Sequence, residues 1–322
     1  MSRYIERKKQ GKGFHYSLNG VKVDKVAIER IASLAIPPAW TDVRIAAAEK
    51  ARVQVTGFDA SGKKQYIYSR AHTEKQGIAK FDRITNFAQN LPKLRKRVEK
   101  DLARRRFDKE KVVAAAVSLM DEGYFRVGNE AYAKANKSYG LTTLRSKHVT
   151  IDDGKVIFDF MGKSGQQHHK VIRDKAIAKI VSKLDDMPGY ELFRYYDADG
   201  VIHNLTSTDV NEYIKDTMGH EFSAKDFRTW GGTMLAAVEL ARETRPDTVA
   251  ARKKAMTACA KRVASKLGNT PAIAKGSYID PRIFTMYDST DGIGEVYATV
   301  KGMRPKKYLS NDERWVLNLL SK

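Results

Sequence analysis

The sequence predicts an α+β protein with a small, β-rich N-terminal domain over residues 1–80 and a larger, mainly α-helical domain over residues 81–322. Three observations predict this organisation. Apolar residues follow the strand period of two up to about residue 70, and the helical period begins at about residue 73. A central segment, residues 149–172, returns to strands and predicts a three-stranded β-hairpin sheet inside the helical domain. The length of 322 residues fits about two domains.

Short alternating segments define the N-terminal domain. Phe14, Tyr16 and Leu18 alternate with polar neighbours, and Gly20 marks the turn that follows. A second pair of strands flanks the turn sequence at residues 59–62, Asp-Ala-Ser-Gly. The strands of this pair are expected at residues 53–58 and 65–68, and a short helix is expected at residues 27–35.

Helical periodicity dominates the second domain. An apolar stripe runs from Ile78 to Leu91, Pro92 interrupts it, and the stripe then resumes. We expect the two domains to join in a short turn near residues 73–82. The three hairpin strands are expected at residues 149–151, 156–160 and 167–172. Later helices are expected at residues 176–184, 209–218, 223–243 and 248–267, followed by a short helix carrying Tyr278 and a last helix carrying Trp315.

The charge of the chain points to a polyanion. Lys and Arg number 59 against 38 Asp and Glu, a formal charge of +21. The first 80 residues hold 16 basic and 7 acidic residues, so the N-terminal domain is the more densely cationic. An excess of this size is typical of proteins that bind nucleic acid.

Several other functions are disfavoured by the sequence. Cys259 is the only cysteine, so neither an intrachain disulfide nor a cysteine zinc cluster is expected. The first residues lack the apolar segment of a secretory signal, and no apolar run approaches the ~18 residues of a membrane span. An intracellular protein is therefore expected.

Two short motifs resemble parts of ligand-binding sites, but the surrounding sequence argues against both sites. Gly162-Lys163-Ser164 resembles the end of a P-loop, but Ile157 stands where that motif needs its first glycine. His168 and His169 are adjacent on a strand, so they point to opposite faces and do not form a metal site. We expect no cofactor and no metal.

Tyr278 is the candidate nucleophile, and a DNA phosphodiester is its expected target. A phenol with a pKa near ~10 needs cations nearby to favour the phenolate. Arginine suits the charge that develops on phosphate oxygens, and lysine can protonate the departing oxygen. The candidate residues for this chemistry are Arg126, Lys163, Arg228, Asn269 and Tyr278.

Five segments, in chain order, resemble motifs of the type IB DNA topoisomerases, most closely the small bacterial and poxvirus-like branch. They are residues 65–68 (QYIY), 125–129 (FRVGN), 162–164 (GKS), 225–229 (KDFRT) and 268–271 (GNTP) with Tyr278 nine residues after Asn269. Residues 36–40 (IPPAW) are also similar to the bacterial members. The resemblance covers essentially the whole chain and implies the fold shared by type IB topoisomerases and tyrosine recombinases.

The resemblance also implies roles for the site residues. Tyr278 is the nucleophile, Arg126 and Arg228 are the two catalytic arginines, and Lys163 is the general acid. Asn269 donates a hydrogen bond to a phosphate oxygen. The nuclear and poxvirus enzymes have histidine at that place, whereas the bacterial branch commonly has asparagine.

The activity that the resemblance implies is relaxation of supercoiled double-stranded DNA. One strand is cut through a 3′-phosphotyrosyl bond, the duplex swivels, and the strand is resealed without ATP or metal. A monomer closes its two domains around the duplex, in the cytoplasm and nucleoid of a bacterium.

Candidate DNA contacts cluster at the second hairpin of the N-terminal domain. Tyr66 and Tyr68 are two apart, so they share a face of the strand. An ordinary tyrosine pair packed on the sheet is the alternative interpretation. The full set of DNA-binding candidates is Lys63, Lys64, Gln65, Tyr66, Tyr68, Asn129 and Tyr132.

Two alternative functions remain. A tyrosine recombinase uses the same chemistry, but members of that family usually show His-x-x-Arg at the second arginine, and Lys225 precedes Arg228 by three here. A non-catalytic DNA-compacting protein would explain the charge without explaining the ordered motifs.

Overall fold

A computed structural model of the chain describes residues 3–11, 13–289, 293, 297, 300 and 302–321. The chain divides into two compact units, Met1–Asp82 and Arg83–Lys322. The first contains a single antiparallel sheet and one short helix, and the second is mainly helical with a three-stranded sheet. This architecture confirms the predicted α+β fold class.

The first unit is built on a six-stranded antiparallel sheet in the order β3-β2-β1-β4-β5-β6. Ile5, Val43, Ile45 and Val55 form its core together with Ile31 of the helix. The strands are β1 (Tyr4–Gln10), β2 (Gly13–Leu18), β3 (Val21–Lys22), β4 (Thr41–Ala46), β5 (Val53–Phe58) and β6 (Lys64–Tyr68), and the helix is α1 (Lys25–Ser33).

The two central strands of this sheet, β1 and β4, were not expected from the sequence. In β1 only Ile5 is buried, and the rest of the strand is largely charged. Its backbone nevertheless pairs on both sides, with β2 and with β4. Long-range pairing therefore makes a strand of a segment that has almost no apolar alternation of its own.

The next element, α2 (Arg70–Leu102), corrects two predictions. The short turn expected near residues 73–82 is wrong, because the helix continues through this segment. Pro92 lies inside the helix and does not interrupt it. Ala88, Leu91 and Leu94, which flank Pro92, are at most 1% exposed. Burying such side chains yields about 1–3 kcal/mol each, which together offsets the ~3 kcal/mol cost of a helical proline.

Helix α3 (Lys109–Gly123) lies at the centre of the second unit. It is buried on nearly all sides, since residues 112–117 are at most 1% exposed. The further helices are α4 (Glu130–Asn136), α5 (Lys175–Asp185), α6 (Ser207–Met218), α7 (Ala224–Arg242), α8 (Val249–Leu267), α9 (Pro271–Ser277), α10 (Pro281–Asp288) and α11 (Asn311–Leu320). The strands are β7 (Val149–Asp152), β8 (Lys155–Met161) and β9 (Gln167–Ile172), with a separate pair, β10 (Arg194–Tyr196) and β11 (Ile202–Asn204).

Strands β7, β8 and β9 form the expected three-stranded antiparallel sheet, with β8 in the centre. The β10–β11 pair was not expected. Helices α6 and α8 have nearly the bounds expected from the sequence: Gly219 is the C-cap of α6, and Thr248 and Gly268 are the caps of α8. Over the described stretches of the chain, no helix has the length and apolar character that a membrane span needs.

An ion cluster joins the two ends of the second unit. The guanidinium of Arg95 on α2 contacts Asp121 of α3 at 2.6 Å and Glu313 of α11 at 2.7 Å. Burial alone would raise the pKa of Glu313, but the hydrogen bonds and charge of Arg95 hold it below its ordinary value. Glu313 also accepts a hydrogen bond from the buried indole of Trp230.

Candidate active site

The segment that presents Tyr278 consists of a tight turn after α8 and the short helix α9. Gly268 ends α8 in the left-handed region, at φ 61°, where glycine has no Cβ penalty. Thr270 then caps α9, and Pro271 occupies its first turn. Tyr278 follows the last residue of α9 as its C-cap, with its amide bonded to the carbonyl of Ala274. The tyrosine therefore stands directly after the short helix that was expected to carry it.

Helix α7 holds the backbone of Tyr278 in place. The hydroxyl of Thr233 donates to the Tyr278 carbonyl at 3.2 Å and accepts from the Asp280 amide at 3.0 Å. Gly232 lies against the same carbonyl, since a Cβ built on it would stand 2.6 Å from that oxygen. The absence of a side chain at Gly232 allows the tyrosine segment to approach α7 this closely.

Helix α7 also positions Arg228. Ser223 is the N-cap, and the carboxylate of Asp226 accepts from the Ser223 amide at 2.9 Å. Asp226 is only 1% exposed and forms an ion pair with Arg83 of α2 at 2.8 Å. This pairing anchors the first turn of α7, from which Arg228 projects.

Arg228 is buried, at 2% exposure, and lies beside Tyr278. Its guanidinium carbon is 5.0 Å from the centre of the tyrosine ring. Its two terminal nitrogens donate to the carbonyls of Tyr124, at 2.6 Å, and Leu267, at 2.8 Å. Burial and the charge of Arg126 lower the pKa of Arg228 to about 10, with Tyr278 opposing the shift. Arg228 therefore stays charged at neutral pH.

Arg126 follows α3 and reaches the same turn from the opposite side. One terminal nitrogen donates to the Asn269 side-chain oxygen, at 2.5 Å, and to the Gly268 carbonyl, at 3.0 Å. The other lies 3.3 Å from Nε2 of His168. Burial lowers the pKa of Arg126, and Tyr278 raises it.

Asn269 is oriented by Arg126. Because Oδ1 accepts from the guanidinium, Nδ2 points the other way. That nitrogen is buried, and no described residue accepts a hydrogen bond from it. An unpaired buried donor costs about 1–3 kcal/mol, so an amide placed this way beside the Arg126 guanidinium is suited to an anion.

Strand β9 adds two residues that the sequence interpretation did not select, His168 and Lys170. His168 is 6% exposed and its ring stacks on Phe160 at 4.9 Å. Burial and the neighbouring cations lower the pKa of His168 to about 4, so its neutral ring accepts from Arg126 through Nε2. The period-two alternation of His168, Lys170 and Ile172 was the available signal.

His169 lies on the opposite face of β9, as expected. It is exposed and its ring nitrogen lies 2.7 Å from the Asp159 carboxylate. Within the described residues, no group of three or more His, Cys, Asp or Glu side chains has the arrangement of a metal site.

Lys163 stands apart from the other four candidates. It occupies the exposed turn between β8 and β9, where Ser164 adopts φ 63° and the Gly162 amide bonds to the Gln166 carbonyl at 2.8 Å. None of the hydrogen bonds and ion pairs of the described residues connects Lys163 to Arg126, Arg228 or Asn269. The structure therefore gathers Arg126, Arg228, Asn269 and Tyr278, and leaves Lys163 at the tip of the hairpin.

The DNA-binding candidates of the first unit lie on the β5–β6 hairpin. The rings of Tyr66 and Tyr68 stack with centres 6.2 Å apart and are 47% and 44% exposed, so this pair is not packed into the core. Lys64 lies over the Tyr66 ring at 5.7 Å. Asp59 organises the turn by accepting from the Lys63 amide and from the Gln65 side chain.

The other two candidates, Asn129 and Tyr132, lie at the start of α4. Asn129 is the N-cap, and its side-chain oxygen accepts from the Tyr132 amide at 2.9 Å. The Tyr132 side chain is 37% exposed. The oxygen of Asn129 is therefore used by the helix, whereas the tyrosine ring faces solvent.

A tyrosine beside one buried and one half-buried arginine and an unpaired amide, on this α+β fold, is the arrangement expected of proteins that cut and rejoin DNA through tyrosine. Comparison with known proteins identifies the family. Residues 68–298 match the sequence model described as "Eukaryotic DNA topoisomerase I, catalytic core", and residues 13–59 match "Bacterial DNA topoisomerase IB, N-terminal domain". The chain belongs to the type IB DNA topoisomerase family.

Individual relatives agree with this assignment. The chain is 35% identical to DNA topoisomerase 1B of Acanthamoeba polyphaga mimivirus over 319 residues, covering 93% of this chain and 95% of the relative. It is 28% identical to DNA topoisomerase 1B of Vaccinia virus (strain Copenhagen) over 276 residues, covering 84% of both chains. DNA topoisomerase 1 of Schizosaccharomyces pombe is 26% identical over 191 residues, 58% of this chain and 22% of the relative.

These findings bear on the alternatives. The family assignment supports an enzyme, a DNA isomerase of type IB, and neither a recombinase nor a compaction protein is favoured by any of the matches.

Proposed function

We propose that this protein relaxes supercoiled DNA and that Tyr278 is the residue that attacks the phosphodiester. The observation that carries the assignment of Tyr278 is its position within 5.0 Å of the Arg228 guanidinium, measured to the ring centre. Asn269 lies on the turn that precedes α9, and Arg126 donates to its side-chain oxygen at 2.5 Å. Within the described residues, Tyr278 is the tyrosine that interacts electrostatically with both arginines.

Cleavage is a single exchange at phosphorus. The Tyr278 oxygen forms a bond to phosphorus, the bond to the 5′ oxygen breaks, and the phenolic proton leaves to water. Negative charge grows on the non-bridging oxygens, where Arg126, Arg228 and the Asn269 amide nitrogen donate hydrogen bonds. The Arg228 guanidinium and the Asn269 amide nitrogen are buried, so they act with little screening by water.

Lys163 is proposed to protonate the departing 5′ oxygen. It is the lysine at the tip of the β8–β9 hairpin, and β9 in turn packs His168 against Arg126. One hairpin thus carries both a contact to the phosphate-binding arginine and the proposed acid.

The covalent 3′-phosphotyrosyl bond stores the energy of the broken linkage, so resealing needs neither ATP nor a metal ion. Between cleavage and resealing, the cut strand swivels about the intact one. The 5′ hydroxyl then attacks the phosphotyrosine, Lys163 takes back its proton, and Tyr278 is released.

The surface for double-stranded DNA is proposed to include the β5–β6 hairpin of the first unit. Stacked, exposed Tyr66 and Tyr68 next to Lys63, Lys64 and the side chain of Gln65 suit contacts with sugar, phosphate and base edges. Because such binding uses many phosphate contacts, it should weaken steeply with added salt.

The remaining DNA contacts are proposed at Asn129 and Tyr132, at the start of α4. We further propose that the protein acts as a monomer in the cytoplasm and nucleoid of a bacterium. The match of residues 13–59 to a bacterial N-terminal domain supports the bacterial assignment.

Plasmid relaxation tests the proposed function. Supercoiled plasmid is incubated with the protein in chelator, without ATP, at several salt concentrations. Relaxed topoisomers are expected, and their absence under all conditions would refute the proposal. A recombinase would instead join two DNA sites, and a compaction protein would shift the mobility of the plasmid without changing its linking number.

A further inference from the structure

A second lysine, which is half-buried, lies next to the candidate active site. Lys170 stands on β9 opposite Phe158, two residues after His168 and on the same face of the strand. Its Nζ donates to the Gly123 carbonyl at 2.6 Å and to the Lys266 carbonyl at 3.2 Å. The same atom lies 5.3 Å from the centre of the Phe125 ring.

Lys170 and the two arginines bind consecutive backbone carbonyls at the ends of two helices. Lys170 binds the carbonyls of residues 123 and 266, Arg228 binds those of 124 and 267, and Arg126 binds that of 268. These carbonyls belong to the C-terminal ends of α3 and α8. Helix C-termini carry partial negative charge, which explains how three cations can lie so close together.

The surroundings of Lys170 are cationic. Arg126 follows α3, Arg228 comes from α7 and Lys266 from α8, and all three disfavour its charge. On its own strand His168 is neutral, because its pKa is lowered to about 4. Glu122 of α3 lines the same cleft of about 490 Å³, and no ion pair joins it to Lys170 in the part of the chain that is described. Burial and these cations lower the pKa of Lys170 to about 8.

We propose that Lys170 is a positioning residue, a third cation that ties the ends of α3 and α8 together and keeps Arg126 and Arg228 directed at the phosphate. The inference rests on the proposed function. Arg126 and Arg228 must turn some of their donors from carbonyls to phosphate when DNA binds. Lys170 keeps the two helix ends joined during that exchange and adds positive charge to the site.

The test compares three proteins: wild type, Lys170→Met, which removes the charge while keeping an unbranched side chain, and Lys170→Arg, which keeps the charge at all pH values used. The rate of covalent cleavage of a suicide DNA substrate is measured at sub-saturating protein, which reports the protonation of the free enzyme. At pH 6.5, Lys170→Met should cleave about 10- to 100-fold more slowly than wild type, since small misplacements of catalytic groups have effects of this size. Lys170→Arg should retain most of the rate.

The pH profile separates this role from simple packing. As pH rises from 6.5 to 9.5, wild type loses the Lys170 charge and its rate relative to Lys170→Arg should fall several-fold. Its advantage over Lys170→Met should shrink over the same range. Ratios that do not change with pH would overturn the proposal. If Lys170→Met does not fold, the pH dependence of the cleavage-rate ratio of wild type to Lys170→Arg still tests the proposal.

Lys183→Met is the matched control. It removes the same charge from α5, where the side chain is 69% exposed and pairs with exposed Asp186. Its rate and pH profile should match those of wild type. Failure of wild type to cleave at any pH would refute the proposed function, whereas cleavage with a pH-independent ratio would refute only the role of Lys170.

Discussion

Gly232→Ala should displace Tyr278 and slow DNA cleavage. Alanine in place of glycine inside a helix such as α7 normally stabilises it by about 1 kcal/mol. Here the new Cβ would stand 2.6 Å from the Tyr278 carbonyl oxygen and 3.0 Å from its Cβ, with Leu267 at 3.2 Å. The nearest atom belongs to backbone, so no side-chain rotation relieves the contact.

The size of the effect follows from these distances. Ordinary van der Waals contact of a Cβ begins at 3.4 Å, so the Tyr278 backbone must retreat by roughly 0.8 Å. A displacement of about 1 Å at a reacting group costs up to about 100-fold in rate. We therefore expect cleavage to fall about 30- to 100-fold. DNA affinity should change little, because the proposed phosphate contacts remain.

The assay is single-turnover formation of the covalent protein–DNA complex, with DNA affinity and thermal unfolding measured on the same preparations. Gly276→Ala is the control, since Gly276 lies two residues before Tyr278 and a Cβ there meets nothing within 4 Å. It should cleave at the wild-type rate. Wild-type cleavage by Gly232→Ala would show that the close approach of α7 does not set the position of the tyrosine.

Three further predictions follow from the site and the fold. Tyr278→Phe should bind DNA with nearly wild-type affinity and form no covalent adduct; an adduct seen on a denaturing gel would mean that another residue is the nucleophile. Lys163→Ala should cleave slowly, and a 5′-bridging phosphorothiolate, whose leaving group needs no proton, should restore the rate; unchanged slow cleavage of that substrate would exclude Lys163 as the acid. Glu313→Gln should destabilise the protein by about 1–3 kcal/mol at pH 7, because it removes the charge-assisted hydrogen bonds to Arg95 while Asp121 still pairs with that guanidinium. Because the pKa of Glu313 is lowered by folding, its contribution is complete above the ordinary carboxyl pKa and disappears as pH falls through the lower folded value. Urea unfolding should therefore show a difference between wild type and Glu313→Gln that narrows in acid, and a constant difference would contradict the pairing with Arg95.

Local sequence signals predicted the elements around the site well. Ser223 with Asp226, Thr248 and Gly268 mark the ends of α7 and α8 because caps act through hydrogen bonds within one turn. The strand at residues 167–172 was also predicted with the right bounds. Helix α2 was predicted less well. Turn and proline signals are local, whereas the buried face that keeps α2 continuous forms by packing against distant segments.

The amino-acid sequence by itself determined the fold class, the nucleic-acid character and the family, because charge, periodicity and ordered motifs can be read without knowing which segments touch. Only the tertiary structure showed that Arg126 orients Asn269, that Gly232 admits Tyr278, and that Lys170 joins two helix ends. Each of these contacts joins residues at least 46 positions apart in the chain. Such distant pairs are brought together by the packing of α3, α7, α8 and β9, and no local pattern encodes that packing.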